Sequence, residues 1–356
     1  MKGMLSVPSG KGNYAYVSAR VKAKKSLLIS KDSYPKLMLM DLNEIGRFLG
    51  ETQYKVEMTE LATKYEGVNL IELGTSKNLA RVFTDILRYS KGKLREMLER
   101  YLMRWDIWNI KTILRGKYYD ASEEDIREDI VAAGKFDEVH INELISLGSV
   151  EEVLKALKKE ERLTIPDSIL ARYQESKTLA PIEDYLDKLY YEKVLACIKC
   201  RCRAERLFKQ LLHKEVDVTN LMTLMKLKKE GLSTERPELY FIEDGEELDV
   251  RTLVELSKAE SMDQLVSELV KYSFYADIKD SLEELKQTGS LSPVSLAMQR
   301  HLLKHSEKFS HIYPLSILPI MDFMLRKKQE VDNIRIIARC KESNLGPDQI
   351  KKLLVM

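Results

Sequence analysis

Three cysteines and two histidines are the residues of this chain whose types and spacing could do chemistry. Cys197, Cys200 and Cys202 lie within six consecutive positions, and cysteine thiolates are common zinc ligands. Structural zinc needs four converging ligands, usually in two pairs, and neither a second CxxC pair nor a nearby HxxxH pair is present. His301 and His305 are four residues apart on one face of a predicted helix, with no acid or third ligand beside them in sequence. We therefore predict buried or idle thiols within a continuous helix, and no metal site.

Sequence patterns typical of enzymes are missing as well. The chain has no Gly-rich phosphate loop, no GxSxG turn and no HExxH pair. Its 356 residues are 44% apolar and 32% charged, which is typical of a soluble globular protein. The net charge of +2 gives no reason to expect nucleic-acid binding. The sequence thus predicts a non-catalytic protein without a cofactor.

Cysteine content and hydropathy indicate a cytosolic protein that does not span a membrane. Four cysteines in so long a chain do not make a disulfide framework, which favours a reducing compartment. The longest apolar stretch, residues 312–325, is interrupted by Pro314, Pro319 and Asp322 and is too short to cross a bilayer. We expect no transmembrane segment, although the protein can still lie on a membrane surface.

The elements that must position these side chains are helices, and one helical signature occurs three times. Each copy has an acid three residues before an asparagine, an apolar residue just after it and a base six residues after it. The three sets are Asp106, Asn109 and Arg115; Asp217, Asn220 and Lys226; and Glu330, Asn333 and Arg339. Successive asparagines are 111 (109 to 220) and 113 (220 to 333) residues apart, so the recurrence predicts an architecture of repeated units.

The signature itself predicts an amphipathic helix, because its apolar residues recur at helical spacing. Asparagine inside a helix costs roughly half a kcal/mol relative to alanine. We interpret the three asparagines as structural, each bonding a neighbouring helix or turn at the same place in its unit. The acids and bases suit the helix dipole, with the acid early and the base late, and we expect them to be solvated.

The similarity extends beyond the signature and predicts an all-α protein of three similar helical-bundle units. Ile71-Glu72 and Ile182-Glu183 are 111 residues apart (72 to 183), and the segments beginning at Ser122 and at Gly346 both read as helix N-termini. We place the units at residues 1–119, 120–231 and 232–356. Units joined head to tail form either a ring or an arc. The chain ends soon after the third signature, and the helices that would complete that unit stand at the N-terminus. This arrangement indicates a funnel or closed arc with pseudo-three-fold symmetry.

One local cluster of charge leaves an alternative open. Bases outnumber acids between Lys193 and Lys214, and such a basic helix can meet lipid headgroups, an acidic partner or RNA, or simply face solvent. A general α-helical scaffold that binds helical or acidic partners through this segment is therefore the alternative function.

Taken together, these residues resemble the C subunit of the archaeal and bacterial V/A-type ATPases, the relative of the d subunit of eukaryotic V-ATPases. The resemblance rests on the order and spacing of several stretches and covers essentially the whole chain. These stretches are Tyr14–Val21, Thr52–Tyr54, Arg104–Lys117 and Glu330–Arg335. The chain departs from the family in its extra lead, Met1 to Lys11, and in its cysteine cluster.

The resemblance implies a non-catalytic central-stalk subunit of a rotary ATPase or ATP synthase. Members of this family sit on the cytoplasmic face of the membrane as peripheral proteins. They link the central shaft, subunits D and F, to the ring of membrane proteolipid (c/K) subunits, and so transmit torque between ATP chemistry and proton or sodium transport. The expected partners are these and other rotary ATPase subunits, but not nucleic acid. We expect a monomer on its own and a single copy in the large complex.

Overall fold

The computed structural model describes residues 12–158, 163–231 and 236–356, and every regular element in these ranges is helical. The prediction of an all-α protein is therefore confirmed. The α-helices are α1 Tyr14–Lys25, α2 Tyr34–Leu37, α3 Leu42–Gly50, α4 Lys55–Leu61, α5 Gly67–Tyr89, α6 Gly92–Tyr118, α7 Glu123–Glu128, α8 Glu138–Ser146, α9 Val150–Lys158, α10 Asp167–Ser176, α11 Ala180–Ala196, α12 Arg203–Lys229, α13 Val250–Ser257, α14 Met262–Glu268, α15 Tyr275–Thr288, α16 Ser292–Ile312, α17 Leu318–Glu342 and α18 Pro347–Leu353. Single 3₁₀ turns occur at Lys31–Ser33, Pro237–Tyr240 and Leu269–Lys271. The lead from Met1 to Lys11 lies outside the described residues.

Three pairs of long helices carry the repeated sequence. The signature lies in α6, α12 and α17, which we call the signature helices, and each follows an upstream helix: α5, α11 or α16. Each signature helix also packs against an upstream helix of another pair, α6 on α11, α12 on α16 and α17 on α5. The last contact brings the third signature helix onto the first pair, and α17 packs against α1 as well.

Short helices pack against the long ones. Asp41, Asp137 and Asp249 each accept a hydrogen bond from the backbone N–H of the third residue beyond them and begin α3, α8 and α13. Such an N-cap satisfies a donor that the first helical turn leaves free. A second short helix follows in each case, α4, α9 or α14. The same two-helix unit therefore stands once near the N-terminus and twice after a signature helix.

The buried apolar side chains form two separate clusters. The larger runs through residues 17–212 and then resumes at residues 317–354, so α17 belongs to the same core as the first helices. The smaller lies between Leu221 and Met298 and holds α13 to α16 against the end of α12. Removal of these apolar side chains from water is the main source of folding free energy. No helix in the described ranges is long and apolar enough to cross a membrane.

The cysteine segment is a turn, and the prediction of a continuous helix there was wrong. Helix α11 ends at Ala196 and α12 begins at Arg203, so the basic segment from Lys193 to Lys214 is not one helix either. Cys200 has a φ of 53°, in the left-handed region, which interrupts helical geometry. Apolar periodicity continues across such a turn because both flanking helices face the same core.

Candidate functional site

The three signature asparagines make the same pair of buried hydrogen bonds. Asn109 donates its Nδ2 to the carbonyl of Val131 at 2.9 Å and accepts from the N–H of Val131 at 2.9 Å. Asn220 does the same with Ile242, at 2.9 and 2.8 Å. Asn333 bonds Val355 at 2.7 and 3.1 Å. In every case the partner is 22 residues further along the chain.

We call this arrangement the asparagine clamp. In it the asparagine side chain supplies hydrogen bonds to the N–H and the carbonyl of a backbone residue that lies outside any helix. The side-chain amide uses one N–H as donor and its oxygen as acceptor, and these match the carbonyl and N–H of a single residue outside regular secondary structure. Asn109, Asn220 and Asn333 are at most 2% exposed, so water cannot take their place. The clamp holds the segment after each signature helix onto that helix. The structure thus places the three asparagines in the contact with a neighbouring turn that the sequence predicts.

The first two signature acids are buried backbone acceptors, so the prediction of solvated acids was wrong. Asp106 accepts from the N–H groups of Lys135 and Phe136 at 2.8 to 3.0 Å. Asp217 accepts from Glu247 and Leu248 at 3.0 to 3.3 Å. Burial raises the pKa of Asp106 to about 6, although the two N–H bonds act in the opposite direction. The pKa of Asp217 is raised for the same reason.

Two glycines let the chain approach these carboxylates. A Cβ on Gly134 would overlap the carboxylate of Asp106, and one on Gly245 would overlap that of Asp217. Both glycines lie 28 residues after their acid (106 to 134 and 217 to 245). The close approach of backbone to carboxylate therefore requires glycine at both positions. Sequence reasoning missed this pair, and the shared spacing is the signal that could have found it.

The third signature acid has a different environment. Glu330 accepts from the hydroxyl of Tyr54 at 2.6 Å, from Gln53 at 3.0 Å and from the N–H of Ile29. It also pairs with Lys327 at 2.9 Å. These partners come from the N-terminal part of the chain, apart from the lysine. Glu330 therefore joins α17 to the first helices.

Lys327 is the one lysine or arginine among the described residues that is buried in the core. Its side chain is fully buried, and its ammonium lies 3.9 Å from the centroid of the Tyr54 ring as well as against Glu330. Burial lowers the pKa of Lys327 to about 8, while the Glu330 carboxylate partly offsets that effect. Both members of this ion pair lie on α17, and removal of either one would leave the other buried without a partner.

The signature bases join one helix pair to another. Arg115 donates two parallel hydrogen bonds to Glu183 of α11, at 2.6 and 2.7 Å. Arg339 donates two to Glu72 of α5, also at 2.6 and 2.7 Å. Such bidentate geometry is the strong form of the arginine–carboxylate contact. The first pair is thus fastened to the second, and the third to the first.

The second and third pairs lack this ionic contact. Lys226 is exposed and has no carboxylate partner among the described residues. Glu183 follows Pro181 by two residues, and the residue that follows Pro293 by two is Ser295. Helices α12 and α16 still pack together, and both contribute side chains, among them Met225, Val294 and Met298, to the smaller apolar cluster.

The histidines and cysteines do not form a metal centre in the part of the chain that the structure describes, where no group of three or more potential ligands converges. His301 lies 2.7 Å from Asp277 of α15, a contact that sequence spacing did not show. Burial lowers the pKa of His305 to about 4, so this imidazole is neutral at pH 7. Cys197, Cys200, Cys202 and Cys340 are all free thiols.

The fold and these contacts define an all-helical body whose repeated polar groups hold its own helices together. The sequence profile of the ATP synthase (C/AC39) subunit family matches residues 17–353, and the chain belongs to this family. It is 39% identical to the C subunit of the A-type ATP synthase of Methanosarcina acetivorans over 349 residues, which cover 98% of this chain and 94% of the relative.

Two further relatives agree in length as well as in sequence. The C subunit of the A-type ATP synthase of Methanococcoides burtonii is 37% identical over 356 residues, which cover 100% of this chain and 98% of the relative. That of Halobacterium salinarum is 35% identical over 351 residues, with coverage of 98% and 99%.

Proposed function

We propose that this protein is the non-catalytic central-stalk subunit that links the shaft of a rotary ATPase to its membrane proteolipid ring. In this role it receives subunits D and F on one side, lies as a peripheral protein on the cytoplasmic face of the membrane, and transmits torque. Membership of the ATP synthase (C/AC39) subunit family supports the rotary complex as its setting. The relatives named above are all C subunits of A-type ATP synthases.

The observation that carries the proposal is the cyclic order of the helix contacts. Signature helix α6 contacts α11, α12 contacts α16, and α17 returns to α5. We infer that three units, at residues 1–119, 120–231 and 232–356, close into a funnel with pseudo-three-fold symmetry. The N-terminal segments that contact Glu330 complete the third unit in this arrangement. A closed body resists twisting better than an open arc, and torque transmission requires that stiffness.

The nine signature residues have an internal role in this proposal. The first two asparagines and acids fasten a signature helix to a segment of the next unit, Glu330 fastens the third unit to the first, and Asn333 bonds within its own unit. The bases Arg115 and Arg339 also fasten one unit to another. Binding of the shaft then depends on the shape that the three units make together. It does not depend on a single charged segment.

Reconstitution tests the proposal directly. The purified protein is mixed with the D–F complex and, separately, with the detergent-solubilised proteolipid ring, and stoichiometry is measured by size-exclusion chromatography with light scattering. We expect one copy of the protein in each complex, and shaft binding that changes little when Lys199, Arg206 and Lys209 are replaced by glutamine. Absence of both complexes contradicts the proposal. Loss of binding in the glutamine variant, with steep salt dependence in the wild type, favours the general scaffold instead.

A further inference from the structure

The turns of the three long helix pairs meet at one end of the molecule, beside the start of α1. Asn13 donates to the carbonyl of Tyr89 at 2.8 Å and accepts from the N–H of Lys91 at 2.9 Å, which ties α1 to the first turn. Ser18 donates to the carbonyl of Ser316 at 3.4 Å, which ties the same helix to the third turn.

The second turn lies against the other two. Lys93 donates to the carbonyl of Cys197 at 3.2 Å and lies 3.5 Å from the carboxylate of Glu205. The guanidinium of Arg203 lies 4.2 Å from the centroid of the Tyr313 ring. We call this surface the convergent end and define it as residues 12–20, 88–96, 197–206 and 311–317.

The convergent end has a larger net positive charge than the whole chain. Its four segments contain nine bases and two acids, a net charge of +7, whereas the whole chain has a net charge of +2. The bases are Arg20, Arg88, Lys91, Lys93, Arg95, Lys199, Arg201, Arg203 and Arg206. One of the two acids, Glu205, is buried and lies against Lys93. The rest of the chain must therefore be net negative, so the charge is concentrated at this end.

Several of these bases have side chains that form no ion pair within the described part of the protein. Lys91, Lys199 and Arg201 are exposed, and no carboxylate of the described residues pairs with their side chains. Exposed apolar side chains stand beside them: Tyr16 is 51% exposed, Ile312 52% and Leu315 70%. Together with the cavity of about 750 Å³ between α1 and the second turn, they make a surface of mixed cationic and apolar character.

We propose that the convergent end docks on the anionic phosphate headgroups of a lipid bilayer. Free cations are attracted by the negative surface potential of such a bilayer, and apolar side chains among them enter the boundary between headgroups and acyl chains. An acidic protein surface would match the bases but leave Ile312 and Leu315 exposed to water. The inference rests on the proposed function only for its setting, since a central-stalk subunit lies next to the membrane.

Vesicle binding tests this proposal. The probes are vesicles of phosphatidylcholine alone and vesicles with 40% phosphatidylglycerol, and the partition coefficient is measured by sedimentation at 0.1 M and 0.5 M NaCl. Each base near an anionic bilayer contributes about a fivefold factor in binding. Replacement of Lys91, Lys199 and Arg201 by glutamine should therefore reduce binding to the anionic vesicles by roughly a hundredfold. The higher salt concentration should weaken binding of the wild type.

The matched control removes the same charge from the far ends of the signature helices. Lys117, Lys226 and Lys229 lie about 35–40 Å along α6 and α12 from the convergent end and are replaced by glutamine together. This variant should keep wild-type binding, and replacement of Leu315 by serine should weaken binding to anionic vesicles several-fold without any change in charge. Equal losses in the two triple variants overturn the proposal, because they show a non-specific charge effect.

Further measurements distinguish lipid docking from an acidic protein partner and from failure of the proposed function. Wild-type protein that binds soluble polyglutamate but not anionic vesicles overturns the proposal in favour of an acidic protein partner. Binding of the D–F complex is measured on every variant and should stay unchanged. Protein that binds D–F but no vesicle refutes this inference alone, whereas protein that binds vesicles but neither D–F nor the proteolipid ring refutes the proposed function alone.

Discussion

Replacement of a signature asparagine by alanine should loosen the contact between its signature helix and the segment that follows that helix. In Asn109→Ala the N–H and carbonyl of Val131 both lose their partner. Each buried backbone group left without a hydrogen bond costs about 1–3 kcal/mol, and the better helix propensity of alanine returns roughly half a kcal/mol. Two such groups, less that gain, give about 1.5–5.5 kcal/mol. Because the segment at Val131 can relax into the space that the deleted amide leaves, the free energy of unfolding should fall by an amount in the lower half of that range, about 2–3 kcal/mol.

The same loss is expected for Asn220→Ala and Asn333→Ala, because the three clamps have the same geometry. Urea unfolding followed by circular dichroism measures the change. The control is Asn142→Ala, an exposed helical asparagine that receives one hydrogen bond from Arg127; its effect should stay within about half a kcal/mol.

Hydrogen exchange gives a local test of the same reasoning. The amide proton of Val131 should exchange roughly 30- to 150-fold faster in Asn109→Ala, since 1.4 kcal/mol corresponds to a tenfold change. The amide protons of Ile242 and Val355 should be unaffected in that variant. Unchanged stability in all three alanine variants, with shaft binding lost, would refute the structural role and show that the asparagines contact a partner.

Three further predictions concern buried charge. Lys327→Met should destabilise the protein by about 3–5 kcal/mol, because Glu330 stays buried without its cation, and the double variant Lys327→Met/Glu330→Gln should recover much of that loss in urea unfolding. The pKa of Asp106 is raised from 3.8 to about 6 in the folded state, so the folded protein binds this proton more tightly than the unfolded chain does. The free energy of unfolding should therefore fall as the pH rises from about 4 to about 6, by at most about 3 kcal/mol from this group. Between pH 4 and pH 7 the change in unfolding free energy should differ between the wild type and Asp106→Asn by up to this amount, with the greater fall in the wild type, because Asp217, whose pKa is also raised, is present in both proteins. A double-mutant cycle on Arg339 and Glu72 should give a coupling of about 1 kcal/mol that shrinks in 0.5 M NaCl, since the arginine is half exposed; coupling independent of salt contradicts that account.

Sequence pattern predicted the helices and a structural role for the three asparagines because both follow from local spacing, but it did not predict the clamp partners 22 residues further on. Each helical segment shows helical periodicity in its own residues. Helices α7 and α18 begin directly after Ser122 and Gly346, as the capping residues indicate. The same periodicity failed at Cys197–Cys202, since the apolar face continues from α11 to α12 while the backbone turns between them.

Other contacts were beyond prediction from spacing. The partners of Glu330 are Tyr54, Gln53 and Ile29, some 280 to 300 residues away in the chain. Nothing in the third signature distinguishes its acid from the other two, apart from one extra methylene. The burial of Asp106 likewise depends on the loop that Gly134 lets approach it.

The sequence by itself determined an all-helical protein with one fastening asparagine in each of three signature helices. Those properties follow from periodicity and from the hydrogen-bonding capacity of an amide, which are local. The tertiary structure alone decided that the signature acids are buried, that Lys327 lies in the core and that three turns concentrate positive charge at one end. These properties depend on which distant segments pack together, because burial and electrostatic potential are set by neighbours in space and not by neighbours in the chain.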